Sequence, residues 1–402
     1  MKIRFSYFLL HIFCFSLALS EAIKNISWFL LVITWLLENH NKLNRRNIFS
    51  VKYIKLNILF LFVILLPIFV AFSCKFKMDE WNGAWDVIRY GTIGWIICHS
   101  SLCSSELIKL LVNLIASAVL TSCIGLYEHL ENGSRHIELN SVGHVNHSAI
   151  YLGLVICMLL SLLLSLRKKS FFRHLLLVIP LISMGYIFFE MSARGAFIPV
   201  FMYILIAIFF SVLSWKSKIV SISLFLIVLC VAYICNSGMS RKFLSKSDGM
   251  RPQLFNTSLV FFKYSPYWGI GLENSKYFYN YNKFVDVCEE LDITILPNTY
   301  IPKGANLQHA HNLYMQSLVE RGIWGSVSLI LLILYWIKKL FQDYKQANVE
   351  HLRVFWSCSL AAFLMVFIGG IFNTTLHHEH GTLCIILFAF HILSFRHTNE
   401  SD

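Results

Sequence analysis

The sequence predicts an all-α, polytopic integral membrane protein with about twelve transmembrane helices. Three observations predict it. Of 402 residues, 57% are apolar and 14% charged, against about 45–50% and about 25% in soluble domains. The mean hydropathy is +0.63. Apolar runs recur along the whole chain at close to the length, about 20 residues, that crosses a bilayer as a helix. This balance excludes a disordered chain, a disulfide-stapled secreted domain and a conventional soluble enzyme.

In chain order the runs lie near 5–20, 23–37, 56–73, 84–101, 107–126, 148–166, 175–191, 196–213, 219–235, 323–337, 354–372 and 381–395. Lys2 and Arg4 before the first run imitate a secretion signal. Further runs follow at once, so it reads as an uncleaved first membrane helix. The run 84–101 is the weakest, because Asp86 and Arg89 interrupt it. Between the runs lie four basic turns: Lys42, Arg45, Arg46, Lys52 and Lys55; Arg167, Lys168, Lys169 and Arg173; Lys216 and Lys218; and Lys338, Lys339, Lys345 and Arg353. With twelve spans and the N-terminus inside, all four fall on the cytoplasmic side, as the orientation bias of Lys and Arg requires. The same bias accounts for the net charge of +12. No aromatic-basic module or zinc-finger spacing points to nucleic acid. The 11 cysteines contain no C-x-x-C and lie mostly inside apolar runs, where they act as small hydrophobes.

The outward connections are then 74–83, 127–147, 192–195, 373–380 and the long 236–322. The last lies between the ninth and tenth predicted transmembrane helices and is too long for a plain connector. Trp268, its Tyr and Phe residues, and Pro252, Pro266, Pro297 and Pro302 argue for an ordered cap. With no internal repeat, residues 1–402 read as a single membrane domain bearing that segment.

Candidate chemistry gathers on the outward side. A charge inside a bilayer costs about 2.5–3.5 kcal/mol on insertion scales, so such residues default to function. Arg194 in Glu190-Met-Ser-Ala-Arg194-Gly195 stands between two apolar runs, opposite the basic turns. An i,i+4 bridge to Glu190 is its structural alternative. Gly195 would let an anionic ligand approach the backbone. Arg251 in Asp248-Gly-Met-Arg251-Pro is a second outward arginine. In Tyr264-Ser-Pro266-Tyr-Trp-Gly269-Ile-Gly271 the alternate glycines suggest a tight, backbone-exposing turn. In Gln308-His309-Ala-His311-Asn312-Leu, the helical spacing of Leu313, Ser317, Glu320 and Trp324 places His311 at the start of a helix, whose positive end attracts anions. A neutral imidazole there can take or relay a proton. The histidine groups His144/His147, His309/His311 and His377-His378-Glu379-His380 have no zinc-protease spacing and no converging thiolates, so neither a metal centre nor a cofactor is expected.

Together these segments resemble the O-antigen ligase family, within the superfamily of O-antigen polymerases and O-oligosaccharyltransferases. The resemblance is carried by Gly143-His-Val-Asn146-His147-Ser-Ala, by Ser192-Ala-Arg194-Gly195-Ala, by Arg251 with the turn ending Gly269-Ile-Gly271, and by His311-Asn312-Leu-Tyr with Glu320, Gly322 and Gly325. Ala193 stands between Ser192 and Arg194, where the family has Ser directly before Arg. The resemblance implies a multi-pass enzyme of the bacterial inner membrane with its active site and the 236–322 segment on the periplasmic side. It implies a metal-independent, inverting glycosyl transfer from an undecaprenyl-diphosphate-linked glycan to a sugar hydroxyl of a lipid A-core acceptor. Arg194 and Arg251 would grip the diphosphate and His311 would assist the acceptor hydroxyl. Asn146, His147, Gly195, Gly269, Gly271, His309, Asn312 and Arg321 would add diphosphate or glycan contacts. An O-antigen polymerase with the same donor, or a lipid-linked-sugar transporter, is the competing reading; the missing repeat disfavours the transporter.

Overall fold

In a computed structural model of the chain, the described residues are 5–45, 54–133, 137–165, 171–191, 193–211, 214–235, 250–296, 298–347 and 349–398. Ser192, Asp248, Pro297 and parts of the basic turns (Arg46, Lys52, Arg167, Lys168, Lys169) lie outside them. Among the described residues the fold is helical without strands. The helices are α1 (Phe5–Ser16), α2 (Glu21–Arg45), α3 (Ile54–Ser73), α4 (Glu80–His99), α5 (Ser104–Asn132), α6 (Val145–Ser165), α7 (Phe171–Met191), α8 (Arg194–Phe209) and α9 (Trp215–Cys235). Then come α10 (Arg251–Tyr264), α11 (Ser275–Phe278), α12 (Tyr281–Glu290), α13 (Leu313–Asp343), α14 (Glu350–Phe367) and α15 (His378–Thr398).

A helix lies over each apolar run, but among the described residues fewer than twelve of them qualify as crossings by length and composition. Among the described residues seven helices are long and apolar enough to cross a membrane: Ile54–Ser73, Ser104–Asn132, Val145–Ser165, His174–Met191, Leu313–Gln346, Glu350–Ile371 and His378–Arg396. The expected twelve are not reached by that measure. The physical reasons are visible in the shortfall: α1 and α8 have 12 and 16 residues, α2 carries Glu21, Lys24 and Glu38, and α4 carries Glu80, Asp86 and Arg89.

At the centre α15 packs on α4 and α14, and α14 on α6. Leu383 through Phe390 are buried on every side of α15, as a helix apolar all round requires. At the periphery α3 and α7 expose Leu61, Phe62, Ile179 and Ile182, side chains suited to lipid rather than to water. The charges inside the bundle are paired. Buried Lys24 bridges α2 to Glu379 of α15, and buried Arg89 donates to Asp86 and Asn25, each at 2.6 Å.

A second core sits on one end of this bundle. Leu254 and Phe261 of α10, Phe278 and Tyr279, Phe284 and Val287 of α12, and Met315 and Val319 of α13 pack together as a cap. Cap and bundle meet where α13 breaks at Gly322 (φ 62°, ψ −157°). Into the break runs the Pro266–Gly271 loop. Ile270 N donates to Val319 O at 2.8 Å, Gly271 N to Glu320 O at 3.1 Å, and Ile323 N to Pro266 O at 2.9 Å. The loop's backbone thus takes up hydrogen bonds that the broken helix cannot make internally. A Cβ on Gly322 would stand 2.3 Å from Tyr267 O, and one on Gly269 2.3 Å from Glu320 C. Both glycines are required by close approach as well as by positive φ.

Candidate functional site

The outward segments named from the sequence gather at the cap end. Asp79 N donates to Asn274 Oδ1 at 2.9 Å, Ser141 N to Ala18 O at 3.0 Å, and Asn312 Nδ2 to Ile371 O at 3.0 Å. The common meeting point is the turn Gly369–Asn373, between α14 and α15. A Cβ on Gly195 would touch Phe372 Cβ at 3.3 Å, which seats the first turn of α8, with Arg194, against it. The Arg251 guanidinium stands over the Phe372 ring, 5.7 Å from its centroid. His311 hydrogen-bonds Asn373. Three of the expected residues, Arg194, Arg251 and His311, therefore come from three distant stretches to one turn.

Each of these residues stands at the start of a helix: Arg194 opens α8, Arg251 opens α10, and His311 precedes α13. Helix N-termini carry unsatisfied N–H groups and the positive end of the dipole. The helix break at Ala193 separates Glu190 on α7 from Arg194 on α8, so the two do not share a helix face.

His311 lies at φ 50°, a costly conformation for a side chain with a Cβ. Burial pushes its imidazole below the usual 6.5. The Asn373 hydrogen bond opposes that shift, while the charges of Arg251 and His144 add to it. At neutral pH it is an uncharged base. Asn312 is the N-cap of α13, its side chain accepting from Tyr314 N at 2.9 Å and Met315 N at 3.0 Å; it fixes where His311 stands.

The other candidates fall elsewhere. Gly269 and Gly271 are buried in the cap joint and line the α13 break. Arg321, beside that break, hydrogen-bonds Tyr90 and lines a small cavity with Val63, Pro67, Val87 and Leu329. Asn146 lies in the first turn of α6, its N–H donating to His144 Nδ1 at 3.2 Å. His147 and His309 belong to a nest of imidazoles: the His147 ring centroid lies 6.5 Å from His309, 6.1 Å from His377, 5.5 Å from His378 and 5.0 Å from His380.

Sequence reasoning missed Phe372, Asn373, Glu273 and the role of Asp86. Glu273 Oε1 meets His377 Nε2 at 2.5 Å, and Asp86 Oδ2 meets His378 Nδ1 at 2.9 Å. Burial alone would raise the Glu273 carboxyl. The hydrogen bond from His377 and the charges of His377 and His378 hold it down at about 2. Glu273 and His378, like His311, have positive φ, at 62° and 44°. Three of the five such non-glycine residues described lie here, which marks the region as one where strain is tolerated. The only forewarning in the sequence was charge inside the 84–101 run.

No curated protein matches the chain. Residues 145–330, which hold Arg194, Arg251 and His311, match the model of a family described as O-antigen ligase. Over that stretch the chain is similar to the O-antigen ligase family, whose members are glycosyltransferase-like enzymes, and its several apolar helices indicate a multi-pass membrane protein.

Proposed function

We propose that the protein is an O-antigen ligase-type glycosyltransferase of a bacterial inner membrane, moving a glycan from undecaprenyl diphosphate to a sugar hydroxyl of lipid A-core at the periplasmic face. The observation that supports this reading is that Arg251, His311 and Gly195, the residue after Arg194, meet at the Phe372–Asn373 turn. In the transfer the acceptor oxygen attacks the anomeric carbon from the face opposite the leaving group, and the carbon–oxygen bond to the diphosphate breaks. His311 takes the acceptor proton, a contribution of about 10²–10⁴-fold in general base catalysis. Undecaprenyl diphosphate departs with the bonding pair. Its developing charge is met by the planar guanidiniums of Arg194 and Arg251, which can bind phosphate oxygens bidentately. This arrangement places no demand on a divalent ion as electrophile, in keeping with a metal-independent, inverting reaction.

An O-antigen polymerase would use the same donor grip with a second lipid-linked glycan as acceptor. The two are separated by incubating purified protein with a lipid-diphosphate glycan and rough lipopolysaccharide. Sugar gained by lipopolysaccharide supports ligation, and lengthened lipid-linked glycan supports polymerisation. Absence of any transfer with all lipids on the active side overturns the enzyme reading in favour of transport.

A further inference from the structure

The imidazole nest beside the transfer site holds groups that the reaction above does not use. Glu273, His377 and His378 each present a ligand atom within 4.8 Å of the other two. They are drawn from the loop after Gly271 and from the start of α15 with the residue before it, more than 100 residues apart in sequence. We infer that Glu273, His377 and His378 bind a divalent transition-metal cation of the zinc class, which fastens the cap to the bundle. Two imidazoles with one carboxylate is a common zinc donor set, and imidazole-rich sites favour zinc, copper or nickel over magnesium or calcium.

Independent features of the nest agree. Asp86 engages His378 Nδ1 at 2.9 Å and is itself held by Arg89 at 2.6 Å. That leaves His378 Nε2 for a ligand, in the carboxylate–histidine–metal arrangement that orients metal-binding imidazoles. Nitrogens of three neighbouring histidines, Nδ1 of His309, His377 and His380, are buried with no hydrogen-bond partner among the described residues. Unpaired buried nitrogens are costly, and a cation reorienting these rings would remove part of that cost. His309 and His147 stand near enough, at ring-centroid distances of 5.8 Å and 6.1 Å from His377, to supply a fourth ligand. The cation would hold residues 373–378 in place, and with them Asn373, without touching the diphosphate.

The test uses full-length protein in detergent, purified by a tag free of histidine, stripped with chelator and titrated with Co²⁺. The expected result is a saturable visible absorption at one equivalent per chain that Zn²⁺ displaces, with a melting temperature that rises as the metal binds. His377→Ala and Glu273→Gln should each weaken binding at least about 10-fold. Asp86→Asn, which acts through His378, should weaken it about 10–100-fold. No saturable absorption in the unaltered protein overturns the proposal, whether or not the variants fold. So does an absorption left unchanged by both His377→Ala and Glu273→Gln.

Discussion

The Arg251 guanidinium stands over Phe372, and Arg194 directly precedes Gly195, which packs against the same residue; the chemistry proposed for both rests on guanidinium geometry. Arg194→Ala and Arg251→Ala should each lower transfer at least about 10²-fold, the scale of losing one donor to a developing oxyanion. Membrane insertion should be unchanged. The Lys variants should rescue little, since an ammonium cannot bind bidentately. Quantifying transferred glycan on purified lipopolysaccharide checks all four. His311 yields a pH prediction with a definite sign. Its folded-state pKa lies below 6.5 because of burial, opposed by Asn373 and reinforced by Arg251 and His144. The acid limb of the rate profile should therefore fall below 6.5, and Asn373→Ala, by removing the opposing hydrogen bond, should move it lower still. An acid limb above 6.5 would rule out His311 as the base. Arg194, Arg251 and His311 were legible in the sequence because an arginine on the wrong side of the charge bias, or a histidine opening a helix, stands out against apolar surroundings. Phe372 and Asn373 were not, since nothing local distinguishes them from any polar turn between two spans.

At the level of elements, α13 shows what the spaced glycines do. The Gly269-Ile-Gly271 pattern suggested a tight, backbone-exposing turn, and that turn lets one backbone lie against another at the helix break. Only the fold could bring Glu320 to Gly269, because the two are separated by the whole of α11 and α12. Gly322→Ala should lower the melting temperature sharply. Positive φ costs about 1–3 kcal/mol, and the added Cβ would collide with Tyr267 O. Gly185→Ala is the matched control: no atom outside its own helix lies within 4 Å of its Cβ, and alanine favours a helix interior by up to about 1 kcal/mol. Thermal melts of both variants in detergent decide. Equal behaviour of the two would contradict the joint. The positions of α1 to α9 and α13 to α15 were readable from apolar runs, but which of them cross a membrane was less so, because α2 and α4 carry charges that pair only in the folded bundle.

For the molecule as a whole, the cap and the segments 74–79, 137–144 and 373–377 meet at one end. Cys103 lies in the connection between α4 and α5, at the other end of α4 from Glu80, and it is exposed. A membrane-impermeant thiol reagent should therefore label Asn298→Cys in the cap and the native Cys103 from opposite sides of a sealed vesicle. Labelling of both from one side would overturn this orientation. The four basic turns carry the expected sidedness, and an ordered cap was expected from its aromatic residues, but not which of them form its core, because Phe261, Phe278 and Phe284 become a cluster only through long-range folding.

Arg194 begins a helix of the bundle core, and Arg251 begins a helix of the cap core. A pyrophosphate held by both would thus be gripped by two bodies rather than by one rigid jaw.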